Sequence, residues 1–170
     1  MPLRESRGFT LLTFCAMQNK VTALKIVYEH VRLNEIKDDD LSPLRDWANH
    51  KSNRGFTAMH FAAFHGNIEM IKYLIEEMEA DVNCVNNIGI NVLHCAAQGD
   101  KPASIVYFTR EQNMDIAAQD DKQRTALHWL IFCKSYCSLE FVLAHQQNLE
   151  LRDKFGHTAL HRTVFQVDVD

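Results

Sequence analysis

Apolar and polar positions recur along this chain in blocks of about 33 residues, and each block holds two short segments with helical periodicity. The clearest first segment is Gly55-Phe56-Thr57-Ala58-Met59-His60-Phe61-Ala62-Ala63, in which a turn residue leads into small and apolar side chains. The second segment follows Gly66 and has apolar residues three or four positions apart: Ile68, Ile71, Leu74 and Ile75. This pattern predicts two amphipathic helices joined by a tight turn.

The first segment recurs with its histidine at a nearly fixed interval. Copies centred on His94, His128 and His161 follow that of His60 at steps of 34, 34 and 33 residues. An earlier, degenerate copy has Thr13 in the histidine position. The chain is therefore predicted to be a single domain of tandem units, residues 1–170, with units near 8–31, 55–88, 89–122, 123–155 and a partial unit at 156–170.

A repeat of this length that carries Thr-x-Leu-His-x-Ala resembles the ankyrin repeat, a turn followed by two antiparallel helices. Residues 57–62 match this phrase with Met59 in place of leucine, and residues 125–130 match it with Leu130 in place of alanine. The resemblance implies an all-α fold, an ankyrin-repeat solenoid of about four and a half helix-turn-helix repeats with one insertion between repeats 1 and 2. Because one repeat cannot bury its apolar face alone, the repeats must stack on each other.

The insertion occupies about residues 32–52. It contains Asp38-Asp39-Asp40, which we interpret as a solvated loop in preference to a partner-binding segment. Ser42 and Pro43 then predict a helix start, with Ser42 as the N-cap and Pro43 in the first helical position. We expect a short extra helix whose Leu44 and Trp47 pack against the array.

Repeats 3 and 4 differ from repeat 2 in the glycines expected before the inner helix and at its end. In repeat 3 the glycine that ends the inner helix comes one residue early, at Gly99, and Pro102 begins the next helix. In repeat 4, Gln123 and Lys134 stand where glycines are expected. Since a positive φ costs a non-glycine residue of order 1 kcal/mol, repeat 4 is predicted to be locally strained or re-routed.

The four repeated histidines raise the question of a metal or catalytic site. They lie one repeat apart, roughly 10 Å in a stacked array, which is too far for ligands of one ion at about 2 Å from each nitrogen. In the ankyrin resemblance this histidine bridges repeats through hydrogen bonds to backbone and to the motif threonine, which caps the inner helix. The residues expected in this structural role are His60, His94, His128, His161, Thr57, Thr125 and Thr158.

Cys133 and Cys137 lie four residues apart with His128 and His145 nearby in sequence, so that a zinc site can be imagined. The paired short spacing of a zinc finger or ribbon is missing, which favours structural or merely reactive thiols. The sequence also lacks a Gly-x-Ser-x-Gly elbow, a phosphate-binding loop and a dinucleotide fingerprint. We expect no metal, no cofactor and no catalytic residue on this chain.

Composition fits a soluble globular protein, with 46% apolar and 24% charged residues. A net charge of −4 without a basic cluster argues against nucleic acid as a partner. No apolar run approaches the length of a membrane span, and the N-terminus lacks the apolar core of a signal peptide. The five cysteines are odd in number, which favours reduced thiols. We expect a cytoplasmic protein that makes no membrane contact itself.

The partner of an ankyrin array usually lies against its concave side, which consists of the turn tips and the exposed flank of the inner helices. The residues that the resemblance places there are rich in aromatic side chains, as protein-binding hot spots are. We expect Phe56 and Phe64 to be exposed, Phe61 and Cys95 to favour the core, and Trp129 to favour a partner. The predicted partner-binding residues are Arg54, Phe56, Phe64, His65, Gln98, Arg124, Trp129, Phe132 and Phe155.

Three phrases, at residues 55–63, 91–102 and 125–129, look like the N-terminal ankyrin region of the DHHC-type protein S-acyltransferases, or palmitoyltransferases, of single-celled eukaryotes. In that family the array lies on the cytosolic face of a membrane and recruits substrate, and transmembrane helices and a cysteine-rich catalytic domain follow. This sequence contains no Asp-His-His-Cys motif, so no catalytic residue carries over. The expected function is a non-catalytic module that binds a protein or peptide; the alternative is the substrate-recruiting region of such an enzyme.

Overall fold

The computed structural model describes residues 10–34, 42–145 and 148–167, apart from the side chains of residues 34 and 165–167. Within these ranges the chain forms helices and turns, with one isolated antiparallel bridge between Arg152 and Thr158. The helices are α1 Leu11–Met17, α2 Val21–Asn34, α3 Ser42–Ala48, α4 Ala58–His65, α5 Ile68–Glu76, α6 Val92–Gln98, α7 Pro102–Arg110, α8 Ala126–Phe132, α9 Leu139–His145 and α10 Ala159–Val167. The all-α prediction is thus confirmed, while the interpretation of Asp38-Asp39-Asp40 concerns residues outside the described ranges.

The helices form two rows. The inner row consists of α1, α4, α6, α8 and α10, which pack side by side in chain order. Each of the outer helices α2, α5, α7 and α9 packs against the inner helix before it, and the outer helices contact each other less than the inner ones do. The inner row is the more closely packed, which fits the concave side that the ankyrin resemblance assigns to the inner helices. This is the solenoid that the repeat predicts.

Small residues let the inner helices approach closely. Ala62 and Ala63 in α4, and Ala96 and Ala97 in α6, are completely buried. The outer helices each add apolar side chains from one face, as the 3.6-residue period predicts. The buried members of this stripe are Ile71, Leu74, Ile105, Phe108 and Val142.

The predicted extra helix is present as α3. Its Leu44 is buried and its Trp47 packs, half-buried, against the core. Asn49 then fixes the following chain: its Nδ2 donates to the carbonyl of Glu79 at 3.3 Å, and its Oδ1 accepts from the Asp81 N–H at 2.7 Å. The segment therefore packs on the array as a covering layer near the end of α5.

The turns before α4, α6, α8 and α10 each place one residue in the left-handed region. These residues are Gly55, Gly89, Gln123 and Gly156, with φ of 81°, 72°, 58° and 80°. Gln123 adopts this conformation although it has a Cβ atom, so that the strain predicted for repeat 4 is confirmed at this turn.

A second left-handed residue separates the inner helix from the outer one. Gly66 has φ of 76°, Asp100 51° and Lys134 56°. Gly99 ends α6 as predicted, as its C-cap residue, but it has φ of −80°, and Asp100 takes the left-handed conformation instead. Gly99 is required for a different reason: a Cβ atom there would lie 1.9 Å from the carbonyl oxygen of Phe64. The end of α6 thus packs directly on the backbone of α4.

Candidate functional site

The part of the inner helices that the core leaves uncovered forms a strip across the repeats. We call it the inner-helix strip and define it by Phe64 on α4, Gln98 on α6, and Trp129 and Phe132 on α8. Phe64 and Phe132 are 39% and 56% exposed. Phe132 stands edge-on to the Trp129 ring, with 5.9 Å between centroids. The strip is therefore an aromatic surface that the fold itself does not cover.

Gln98 lies between the two phenylalanines in the repeat order, because 64, 98 and 132 are equivalent positions. Its side chain is half-buried, and its amide nitrogen is buried without a hydrogen-bond partner among the described residues. A buried polar atom that lacks a partner costs about 1–3 kcal/mol. The centre of the strip thus holds one polar group whose bonding is incomplete.

The turn tips form a second line of exposed side chains beside the strip. We call this line the tip row and define it by Arg54, Ile88, Lys122 and Phe155, one residue from each of four consecutive turns. Backbone hydrogen bonds join the tips in series: the carbonyls of Arg54, Ile88 and Lys122 accept from the N–H groups of residues 87, 121 and 154 at 3.1, 3.2 and 2.9 Å. All four side chains are exposed.

Some of the predicted partner-binding residues lie in the inner-helix strip, some lie in the tip row, and some are partly buried. Arg54 and Phe155 belong to the tip row, and exposed His65 packs edge-on to Phe64 at 5.2 Å. The expectation that Phe56 is exposed is wrong. Phe56 is half-buried because its ring packs on His60 and Phe61, at centroid distances of 5.4 and 5.8 Å.

Residues that directly follow the repeated histidines show a graded burial. Cys95 is buried, and Phe61 packs, half-buried, against the core, in agreement with the preference given to the core. Trp129 is also half-buried against the core. The Trp129 ring also contacts exposed Phe132, so that it contributes both to packing and to the inner-helix strip.

The repeated histidines connect one repeat to the next. In each of α4, α6 and α8 the histidine closes a capping box with the N-cap residue three positions earlier. His60, His94 and His128 accept through Nδ1 from the N-cap N–H at 3.1, 3.1 and 3.2 Å. The Nε2 atoms of His60 and His128 lie 3.0 and 3.3 Å from the carbonyls of Ile90 and His157 in the following repeat. His94 Nε2 lies 3.1 Å from the carbonyl of Ala118, at the end of its own repeat, and His94 also bonds to the backbone of Arg124 in the next one.

These contacts determine the protonation state of the rings. A carbonyl can only accept, so Nε2 carries the proton, and Nδ1 is then free to accept from the N-cap N–H. Burial lowers the pKa of His60 and of His94 to about 4, and it also lowers the pKa of His128. The three rings are therefore neutral bridges at neutral pH. Exposed His161 has Nδ1 2.7 Å from the Thr158 hydroxyl.

One histidine does lie next to a cysteine. Cys84 Sγ is 3.6 Å from His60 Nδ1 and 3.4 Å from the Thr57 hydroxyl. A nucleophilic pair would need a thiolate beside an imidazolium ion. Burial acts against both charges, since it raises the pKa of Cys84 to about 11 and lowers that of His60 to about 4. The contact between Cys84 and His60 is therefore a packing contact inside the turn.

Sequence reasoning missed the residues that hold the turns together. Ser52, Asn86, Asp120 and Asp153 occupy one equivalent position, and each is buried. Their side-chain oxygens accept N–H groups from the turn that follows; Asp120 Oδ1, for example, accepts from Lys122 and Arg124 at 2.9 Å each. The signal was available as a Ser, Asn or Asp three residues before each turn glycine or its replacement.

Arg124 is tied to its own repeat. Its Nε donates to Asp120 Oδ2 at 2.8 Å, and its guanidinium group lies 4.0 Å from the centroid of Trp129. The Trp129 indole N–H also reaches Asp120 Oδ2, at 3.2 Å. Burial favours the neutral form of Asp120, but the Arg124 and backbone hydrogen bonds outweigh it and hold the pKa of this carboxyl below its ordinary value. Arg124 thereby positions the Trp129 ring. Only 14% of the Arg124 side chain is exposed.

The next repeat uses a different pair at the same place. Asp153 accepts from Arg162, which stands at the position equivalent to Trp129, and from the N–H groups of Phe155 and His157. These bonds outweigh the effect of burial and hold the pKa of Asp153 below its ordinary value. A buried carboxylate thus anchors each of these two turns. At the equivalent helix position, Asp120 is bonded to Trp129 and Asp153 is bonded to Arg162.

Metal ligation finds no support in the geometry. No group of three or more His, Cys, Asp or Glu side chains is arranged to hold an ion among the described residues. Cys133 and Cys137 are both exposed. The pKa of each thiol is raised, by burial for Cys133 and by the Asp100 carboxylate for Cys137, so that neither is poised as a thiolate. Over the same part of the chain, no helix has the length and apolar character needed to cross a bilayer.

Comparison with known proteins agrees with the repeat architecture. The family model described as Ankyrin repeats (3 copies) matches residues 2–86 and 44–120. Palmitoyltransferase AKR1 of Lachancea kluyveri is 31% identical over 108 residues, which are 62% of this chain and 14% of that protein. Ankyrin repeat domain-containing protein 53 of Homo sapiens is 32% identical over 79 residues, 45% of this chain and 15% of that protein.

A third relative, inversin of Canis lupus familiaris, is 36% identical over 112 residues, 62% of this chain and 10% of that protein. The chain therefore spans at most 15% of the length of these three relatives. They share with it a series of repeats, and the family model covers more than half of the chain. The repeat phrase, the histidine bridges and the family-model match together show that the chain belongs to the ankyrin-repeat family.

Proposed function

We propose that the chain, acting as one domain, is a non-catalytic module that binds a protein or peptide on the inner-helix strip. The observation that carries the proposal is the exposed aromatic pair Phe64 and Phe132, which flank the incompletely bonded amide of Gln98. Aromatic side chains around a polar group that a partner can satisfy are typical of binding hot spots. His65, Arg124 and Trp129 support the strip from its sides.

Binding in the cytoplasm fits the chemistry of this surface. The buried cysteines Cys15, Cys84 and Cys95 are free thiols, which agrees with a reducing compartment. The strip offers no buried nucleophile with a lowered pKa and no metal cluster among the described residues, and so the proposal assigns recognition to it and no reaction.

The proposal is tested by selecting binders from a random library of peptides displayed on phage, with the folded protein immobilised. Phe132→Ala should weaken the selected peptides at least tenfold, about 1.4 kcal/mol, because a hot-spot aromatic is removed from an exposed site that the core does not need. The matched control is Ile26→Ala, which shortens an exposed apolar side chain on the outer helix α2. Peptides that bind Phe132→Ala and Phe64→Ala as well as the original protein would place the binding site elsewhere.

A second candidate function rests on one observation, the similarity to palmitoyltransferase AKR1 over 62% of this chain. On this proposal the strip recruits substrate for a membrane-bound S-acyltransferase and lies at the cytosolic face of a membrane. The test is the coding sequence that continues from Asp170. Membrane spans and a cysteine-rich block with Asp-His-His-Cys are expected there, and a stop codon would contradict this candidate while leaving the first one intact.

A further inference from the structure

The exposed charges of this protein are unevenly distributed, although its net charge is only −4: on the outer side, where Lys25, Lys72 and Arg110 also lie, acidic side chains outnumber basic ones. The exposed acidic residues of the outer helices and of the loops that follow them include Glu69, Glu76, Glu79, Asp115 and Glu140. The turn tips carry the opposite sign through Lys51, Arg54, Lys122, Arg152 and Lys154, all exposed. The carboxylates of Asp120 and Asp153 lie beneath the tips but are buried and paired with arginines. An acidic partner is therefore attracted to the tips and repelled by the outer side.

The tip row adds a pattern to this charge. Its side chains alternate between cationic and apolar in the order Arg54, Ile88, Lys122 and Phe155, and the two apolar members are 47% and 66% exposed. Lys51 adds a further exposed positive charge near the row, and its Nζ donates to the carbonyl of Val85 at 3.0 Å. Asp121 is the exposed exception, and its carboxylate is directed toward Gly89, where a Cβ atom would lie 2.4 Å from Oδ1.

The backbone fixes the spacing of this pattern. Each tip is hydrogen-bonded to the next, and the inner helices beneath them pack side by side, at an interaxial distance of about 8–10 Å. An extended peptide advances about 3.3 Å per residue, so that about three residues span one repeat. A side chain at every third position of an extended ligand therefore meets successive members of the tip row.

From this alternation we propose that the partner contributes an extended segment of the form acidic-x-x-apolar-x-x-acidic-x-x-apolar, laid along the tip row. Its two carboxylates face Arg54 and Lys122, and its two apolar side chains cover Ile88 and Phe155. The inference rests on the proposed function, because it specifies the partner of the same concave side. Aromatic contacts in the inner-helix strip supply affinity, and the tip row selects the sequence and its alignment.

The experiment compares two fluorescein-labelled peptides of identical composition. The first has Glu at positions 1 and 7 and Leu at positions 4 and 10, with Ser and Thr between them. The second has Glu at positions 1 and 4 and Leu at positions 7 and 10, an order that does not alternate in either chain direction. Fluorescence anisotropy with the original protein should show at least tenfold tighter binding of the first peptide, with an affinity that falls as salt rises from about 50 to 300 mM. Equal binding of the two peptides, or binding of neither, overturns the inference.

Charge exchange tests the contact directly. Lys122→Glu should weaken the first peptide at least tenfold, and a peptide with Lys in place of the second Glu should recover binding to this variant. Lys72→Glu, which makes the same charge change on the exposed side of α5, is the matched control and should have little effect. Failure of the exchanged pair to recover contradicts the proposed contact, and competition by single-stranded oligo-dT would reveal unspecific anion binding and overturn the inference.

The two proposals fail in different ways. If library peptides depend on Phe132 but show no acidic-apolar pattern, the binding function stands and the assignment of the tip row falls. If the patterned peptide binds but Phe132→Ala has no effect on any ligand, the tip row stands as a site and the inner-helix strip does not.

Discussion

At the scale of single residues, the bridging histidines make the stability of the array dependent on pH. His60 and His94 are neutral donors to backbone carbonyls of Ile90 and Ala118, and their pKa of about 4 lies far below the ordinary value of 6.5. The unfolded chain therefore binds more protons than the folded one between these values, and stability must fall as the pH falls through this window.

We predict that the free energy of unfolding decreases by about 1.4 kcal/mol per pH unit for each of these two histidines between pH 6.5 and 4. Urea unfolding at several pH values measures it. His60→Gln should lower the slope by about half, because only His94 of this pair then remains to bind a proton on unfolding. Asp120 and Asp153, whose pKa values are lowered, add their own loss of stability only at still lower pH. A flat profile above pH 4.5 would contradict neutral bridges.

Lys134 is the residue where local strain should be easiest to relieve. It holds a φ of 56° between α8 and α9, at the position that Gly66 occupies in the α4–α5 pair. Lys134→Gly should raise the free energy of unfolding by about 1 kcal/mol, because glycine adopts this conformation without a Cβ penalty. The control is Lys122→Gly at a turn residue without a positive φ, which should be neutral or destabilising. The urea midpoints compare the two, and a lower midpoint for Lys134→Gly would refute the strain.

At the scale of helices, the end of α6 packs directly on the backbone of α4. Gly99→Ala should lower the free energy of unfolding by about 1–3 kcal/mol or more, because the new methyl group would overlap the backbone carbonyl of Phe64. Chemical denaturation measures the loss. The added change Phe64→Ala should not restore stability, since the obstacle is main chain; recovery by that second change would show that the side chain was the obstacle.

The helices were predictable to the extent that their determinants are local. The period of the repeat located α4 to α9, and Ser42 and Pro43 located α3. The reason for Gly99 was not predictable, because it lies in a contact with a helix 34 residues earlier in sequence. Phe56 was misjudged for a similar reason, since its burial depends on the ring of His60 and on Phe61 in their folded positions.

The residues of the candidate surface were likewise predictable where their exposure depends on their place in the repeat, and not where it depends on folded contacts. Exposure of Phe64, Phe132 and Phe155 could be inferred from their place in the repeat. The anchoring of Arg124 to Asp120 and Trp129 could not, because it depends on how a turn residue folds back onto the helix that follows. Nor did the sequence reveal the hydrogen bonds that join consecutive tips, and it is these bonds that turn scattered cationic and apolar residues into a row.

At the scale of the whole molecule, burial decreases toward the C-terminal end of the described array. Every residue of α6 except Gln98 is buried, whereas α9 buries Val142 alone, and Leu160 and Val164 on α10 are 71% and 64% exposed. In a solenoid each repeat is stabilised by its neighbours, so that opening begins where these contacts are fewest. The array should therefore open from α10 toward α6 before it unfolds as a whole.

Hydrogen exchange measured by mass spectrometry tests this order. Amides of α9 and α10 should exchange faster than those of α4 and α6, which lie between neighbours on both sides. Leu130→Ala, which removes a buried side chain of α8 and costs about 2–5 kcal/mol locally, should speed exchange in α8, α9 and α10 more than in α4. If exchange rises equally in all helices of the variant, the array unfolds in one step. The surface around Phe132 and Phe155 would then be no more labile than the core, contrary to the order predicted from burial.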